Sequence, residues 1–240
     1  MKKEKINING IPSIIWGERS NKVFIAVHGN MSNTEDVVIE LFASKVVDCG
    51  YQVISFDLPE HGDRKDNKEY LCNVQNSIKD LRVIMEYVKS KYSEINLWAC
   101  SMGAYFSMLA YKDENIKNSI FLSPVVDMKI IIDKLMIASN VSEAELEEKK
   151  IIETSFGQTL YWDYYKYVKE NPIKKWDSNT SVLWGNNDNL QDEYLIWDYC
   201  KGFKWTLVVF KGGEHYFHTE EQLDYYKDWL DIVLMDICEK

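Results

Sequence analysis

This chain has no apolar run approaching the ~20 residues that a membrane-spanning helix needs. Its opening residues, Met1-Lys2-Lys3-Glu4-Lys5-Ile6-Asn7-Ile8, are charged and lack the apolar stretch of a signal peptide. Without such a leader, the glycosylation patterns Asn30-Met31-Ser32 and Asn140-Val141-Ser142 read as chance matches. The five cysteines (Cys49, Cys72, Cys100, Cys200, Cys238) are scattered and form no Cys-x-x-Cys pair, which speaks against zinc and dithiol-redox chemistry. Scattered thiols suit a reducing cytosol, so a cytoplasmic protein is expected. Basic residues are in deficit: 28 Lys and Arg face 38 Asp and Glu, a net charge of -10. Such a surface repels polyanions, so neither nucleic acid nor an anionic membrane is expected as a partner.

What is present is an ordinary globular composition, 46% hydrophobic and 28% charged over 240 residues. That length is enough for one domain, 1–240, with a real core. Short antiparallel strands are expected at 6–8 and 13–16, with Asn9-Gly10 as the turn between them. Strands at 23–27 and 51–56 flank a helix at 35–48, which Thr34 caps and Gly50 closes. A long amphipathic helix over 73–92 carries Val74, Ile78, Leu81, Ile84, Met85 and Val88 on one face. Further strands follow at 95–98, 120–122, 181–184 and 205–210, with helices near 104–111, 192–200 and 220–238. Alternation of strand and helix argues an α/β fold with a parallel sheet covered on both faces.

One stretch carries a chemical reading. Trp98-Ala99-Cys100-Ser101-Met102-Gly103-Ala104 leaves an apolar strand and opens a helix, with a serine at the apex. A nucleophile elbow needs this layout, and it crowds the positions two before and two after the serine. Both are small here, Ala99 and Gly103. Upstream, the strand at 23–27 runs into His28-Gly29-Asn30-Met31. Downstream, strands run into Gly185-Asn186-Asn187-Asp188 and Gly212-Gly213-Glu214-His215. The chain order is Ser101, Asp188, His215.

On these motifs, together with Phe56-Asp57-Leu58-Pro59-Glu60-His61-Gly62, the chain resembles the α/β-hydrolase superfamily. It is most similar to small bacterial serine esterases and monoacylglycerol-lipase-like hydrolases. The resemblance spans about 14–230, and it departs at Ala99 and Glu60, where those proteins usually carry glycine. It implies Ser101 as nucleophile, His215 as general base with His218 as its rival, and Asp188 as the orienting acid with Asp192 as its rival. It implies an oxyanion hole of backbone N–H groups from Met102 and from Asn30, with Met31 as the rival in the first loop. His28, Asp57 and His61 are expected to shape loops, and Cys100 to fill space. His215-x-x-His218 lacks further metal ligands, and no metal or cofactor is implied.

Regular alternation breaks over 125–176, where helix-like segments lie at 128–138, 142–145 and 161–169 and no strand is expected. Ser142 and Glu145 form a capping box. α/β-Hydrolases insert a helical cap at this place. The cluster Tyr161-Trp162-Asp163-Tyr164-Tyr165 offers Trp162 and Tyr165, with Met31 from the first loop, as substrate contacts. Packing of the cap on the body is the alternative for the aromatic pair. The implied activity is hydrolysis of a small-molecule carboxylic ester with a small or medium acyl group. The same triad would serve a thioester or an amide, and a non-catalytic binding protein on this fold is a further alternative.

Overall fold

Val23, Ile25 and Val27 face one layer of helices, and Phe24 and Ala26 face the other. That is the period-2 alternation of a strand buried on both sides. The computed structural model describes residues 1–155 and 157–238. In chain order the elements are β1 (Lys3–Ile8), β2 (Ile11–Trp16), β3 (Lys22–Val27), α1 (Val37–Asp48), β4 (Gln52–Phe56), α2 (Val74–Lys89), β5 (Glu94–Cys100), α3 (Met102–Ala110) and β6 (Asn118–Leu122). Then come α4 (Met128–Ala138), α5 (Glu143–Lys149), β7 (Ile151–Glu153), β8 (Thr159–Tyr161), α6 (Trp162–Glu170), β9 (Asn179–Gly185), α7 (Glu193–Phe203), β10 (Thr206–Phe210) and α8 (Glu220–Cys238).

Eight strands form one sheet in the order β1-β2-β4-β3-β5-β6-β9-β10. The β1/β2 and β2/β4 pairs are antiparallel, and every later pair is parallel. This is the α/β-hydrolase fold that the motifs implied. One face packs on α2, α3, α7 and parts of residues 125–176, and the other on α1 and α8. Register aligns the carboxyl ends of the parallel strands: Val27 lies opposite Ala99, Cys100 opposite Leu122, and Leu122 opposite Leu183. Loops leaving β3, β5, β6, β9 and β10 therefore gather along one edge of the sheet.

Three expectations are corrected. Helix α1 starts at Val37 and its cap is Asp36, whose carboxylate accepts the Val38 N–H at 3.4 Å. Thr34 is diverted from capping because its N–H donates to Asp57 and its carbonyl accepts from Ser55. Residues 125–176 also hold a strand pair, β7 with β8, antiparallel. Each strand is three residues long, too short to show a period in sequence. Finally, Cys49 and Cys238 form a disulfide, with Cα atoms 5.4 Å apart and a sequence separation of 189. The expectation of unpaired thiols holds only for Cys72, Cys100 and Cys200. Among the described residues no helix is long and apolar enough to cross a membrane.

Candidate active site

Ser101 sits between β5 and α3 at φ +50°, ψ -128°, a conformation that costs a non-glycine residue free energy and persists only where surroundings enforce it. The surroundings are specific. The Ser101 N–H donates to the Leu122 carbonyl at 3.2 Å, and its carbonyl accepts the Val125 N–H at 3.0 Å. A Cβ on Gly103 would lie 2.3 Å from the His28 carbonyl oxygen, and one on Gly29 would lie 2.9 Å from the Ser101 Cβ. The small residues around the serine are thus demanded by the neighbouring loop from β3. The Ser101 side chain caps nothing in α3, which leaves its hydroxyl directed elsewhere.

That hydroxyl is 2.8 Å from His215 Nε2. His215 Nδ1 lies 2.6 Å from Asp188 Oδ2. A carboxylate only accepts, so Nδ1 carries the proton, Nε2 is bare, and the serine Oγ–H donates to it. Asp188 Oδ2 also accepts the Trp184 indole N–H at 3.1 Å, and Oδ1 accepts the Leu190 N–H at 2.9 Å. The Asp188 side chain is fully buried, and that of His215 is 19% exposed. Glycines bring their two loops together: a Cβ on Gly185 would fall 2.3 Å from the Gly213 carbonyl oxygen. Across this close approach the Asn187 N–H donates to that same carbonyl at 2.8 Å.

The rival residues lie elsewhere. His218 stacks on Tyr216, with ring centroids 5.2 Å apart, and its Nδ1 faces the Tyr216 carbonyl. Asp192 precedes α7, is solvent-exposed, and pairs with Lys134 at 3.3 Å.

The first loop is organised by His28, which is fully buried. Its Nε2 accepts the Leu58 N–H at 3.0 Å, so Nδ1 carries the hydrogen and donates to the Gly29 carbonyl at 2.7 Å. Burial holds its pKa down at about 3, which keeps the ring neutral. In a trans peptide the N–H opposes the carbonyl, so tethering Gly29 C=O to His28 turns the Asn30 N–H away from that ring. The Asn30 side chain lies 3.2 Å from His61 Nε2. Met31 occupies the loop tip at φ +58° and is 92% exposed. Met102 opens α3, where free N–H groups and the helix dipole favour negative charge.

Comparison with known proteins follows this geometry. The sequence profile of the serine aminopeptidase S33 hydrolases matches residues 18–154. The chain belongs to that family. No curated relative matches it in sequence. Among solved structures it is similar to Est1E from Butyrivibrio proteoclasticus with ferulic acid bound, at TM-score 0.78 and 18% identity, covering 99% of this chain and 100% of that one. It is also similar to alpha/beta hydrolase domain-containing protein 10 from mouse (TM-score 0.72, 14% identity, 99% and 100% covered). A third is the Pyrococcus furiosus esterase PF2001 (TM-score 0.68, 17% identity, 98% and 90% covered). At these identities the likeness is one of fold. As a member of the S33 family the chain is a hydrolase with the α/β-hydrolase fold.

One feature of this S33 hydrolase accounts for its departure at Glu60. Glu60 takes φ +59°, the left-handed region where glycine is the easier choice. Its carboxylate accepts the Cys72 N–H at 2.7 Å, a bond glycine could not make. Asp57 accepts the Thr34 and Asp63 N–H groups, and a Cβ on Gly62 would strike its carboxylate at 2.1 Å. Trp162 and Tyr165 meet at a tilt of 36°, with ring centroids 6.0 Å apart. Tyr165 is 3% exposed and its hydroxyl donates to Glu143 at 3.3 Å, so it faces another helix of the inserted segment. Tyr164 is instead partly buried against the main core, on the side of Tyr105 and Cys72. No sequence pattern reports the support from Trp184, a polar contact made by a residue whose local pattern shows only a buried strand.

Proposed function

We propose that this protein is a serine hydrolase of carboxylic esters with a small or medium acyl group. Ser101 is the nucleophile, His215 the general base and Asp188 the orienting acid. The observation that carries this reading is the unbroken relay from Asp188 through His215 to the Ser101 hydroxyl, at 2.6 and 2.8 Å, ending on a strained turn. Ser101 Oγ attacks the ester carbonyl as its proton passes to His215 Nε2. The Met102 and Asn30 N–H groups receive the oxyanion, an interaction worth roughly 3–4 kcal/mol per donor in enzymes of this kind. His215 returns the proton to the departing alcohol. Water then repeats the sequence on the acyl-enzyme, and no cofactor takes part.

Residues 125–176 are assigned as a cap within the single domain 1–240. Met31, exposed at the tip of the first loop, is assigned as that loop's substrate contact. Trp162 and Tyr165 are assigned to holding the cap together, because their contacts lie with Lys129, Glu143, Lys150 and Lys169. Esterase neighbours, one with ferulic acid bound, support a small-molecule ester as substrate.

Labelling with a fluorophosphonate tests the reading. The label should map to Ser101 and vanish in Ser101→Ala, with kcat falling at least ~10³-fold. His215→Ala should lose as much, since members of a triad act as a unit. Asp188→Asn should slow turnover while Asp192→Asn stays near wild type, and the reverse ranking would move the acid. The family's description as aminopeptidases favours one second reading, cleavage of an amide. Aminoacyl nitroanilides assayed beside nitrophenyl esters of increasing length separate the two.

A further inference from the structure

Gln191 is 1% exposed, unusual for a loop glutamine. Its Oε1 accepts two backbone N–H groups, Val126 at 2.9 Å and Asp127 at 3.2 Å. Its Nε2 donates to the Pro124 carbonyl at 2.7 Å. These three groups form the bend between β6 and α4, where residues 125–176 leave the sheet. The same bend grips the elbow, since Val125 N–H donates to the Ser101 carbonyl. Ser123, at its start, is held at φ +44° with a buried hydroxyl that has no hydrogen-bond partner among the described residues. Strain of that kind persists only when the bend is tied from outside. Gln191 itself lies three residues beyond Asp188, and the intervening Leu190 N–H is bound to that carboxylate. On the outer side, Lys134 of α4 reaches the Leu190 carbonyl at 3.4 Å and Asp192 at 3.3 Å.

One side chain therefore joins the loop bearing Asp188, the bend bearing the cap and, through Val125, the turn bearing Ser101. We propose that Gln191 is a positioning residue that latches the cap to the Asp188 loop, so that the seating of the cap is coupled to that loop. The proposal rests on the assignment of Ser101, His215 and Asp188 above. It carries a substrate consequence. A long acyl chain must lie under the cap and depends on the latch, whereas an acetyl group reaches Ser101 with little help from it.

Two variants test this. Gln191→Met keeps length and removes all three bonds, and Gln191→Glu keeps the accepting oxygen and removes only the donation to Pro124. Steady-state constants are measured for p-nitrophenyl acetate and p-nitrophenyl octanoate, with amide hydrogen exchange followed over residues 124–138. Gln191→Met should raise KM for octanoate about tenfold or more, change acetate by less than about threefold, and speed exchange at Val126 and Asp127. Gln191→Glu should fall between it and wild type, and serves alone if the Met variant does not fold. Equal losses on both esters, or unchanged KM with a lowered melting temperature, would make Gln191 a strut of the fold and overturn the latch. A wild type that the fluorophosphonate does not label at Ser101 would overturn the nucleophile assignment and the coupling with it. A labelled wild type whose variants behave alike on both esters overturns the latch alone.

Discussion

A Cβ added to Gly103 would stand 2.3 Å from the His28 carbonyl oxygen and 2.6 Å from that of Val27. Both obstacles are backbone atoms in the centre of the sheet, so neither can swing aside. Gly103→Ala should therefore cost at least about 3 kcal/mol, at the upper end of overpacking effects, and abolish labelling of Ser101. Ala99→Gly, which restores the glycine usual at the other small position, should lose only about 0.5–1 kcal/mol and keep labelling. Thermal melting and labelling of the two variants together check the assignment, and a well-folded, labelled Gly103→Ala would refute the close approach.

Stability should fall as the solution is acidified, with His28 as one cause. The folded ring takes a proton only near pH 3, held down first by burial, against 6.5 for a free histidine. Between those values the unfolded chain binds more protons than the folded one, so stability rises with pH through the window and is lost toward its acid end. One such group contributes a slope approaching about 1.4 kcal/mol per pH unit. Asp57, whose carboxyl burial pushes upward from the ordinary 3.8, contributes the opposite slope above that pH, within the same window. Urea denaturation of wild type and His28→Gln at several pH values between 5 and 7 isolates the histidine. Parallel curves for the two would show that His28 is not the titrating group.

Tyr165→Ala should lower the melting temperature and leave relative rates across nitrophenyl esters of different length unchanged. Its ring is enclosed by the cap, with Lys129 and Lys169 over its faces and Glu143 at its hydroxyl. Loss of a buried aromatic typically costs about 3–5 kcal/mol. A shifted length profile with unchanged melting would return this residue to the substrate pocket.

The Cys49–Cys238 bond closes a loop across a sequence separation of 189 and ties the last turn of α8 to the end of α1. The chain-entropy model assigns a loop of that size about 5 kcal/mol. Cys49→Ser should then melt on the order of 10 °C below the oxidised wild type, and reductant should lower the wild type toward the same value. Identical melting in all three samples would mean that the two sulfurs are not joined.

The order of strands and helices is legible because the strands between helices are short apolar runs that break at polar or turn-forming residues such as Asp57, Ser123-Pro124 and Gly185, and each long helix repeats its apolar face. Boundaries moved where side chains had competing partners, as Thr34 did once Asp57 and Ser55 engaged its backbone. The β7/β8 pair escaped notice because three residues cannot display a period.

By itself the sequence determined the strand–turn–helix around Ser101, the small residues beside it, and the order Ser101, Asp188, His215. These follow from local sterics and from hydrophobic period, which act over a few residues. Tertiary structure brings these candidates into contact and sets their rivals apart. His215 rather than His218 meets a serine 114 positions away, and Asp188 rather than Asp192 meets that histidine. It also placed Gln191 on the bend after β6, Tyr165 against Glu143, and Cys49 beside Cys238. Each of these depends on the packing of segments far apart in the chain, and a hydrogen bond or a disulfide is a matter of distances that no local pattern encodes.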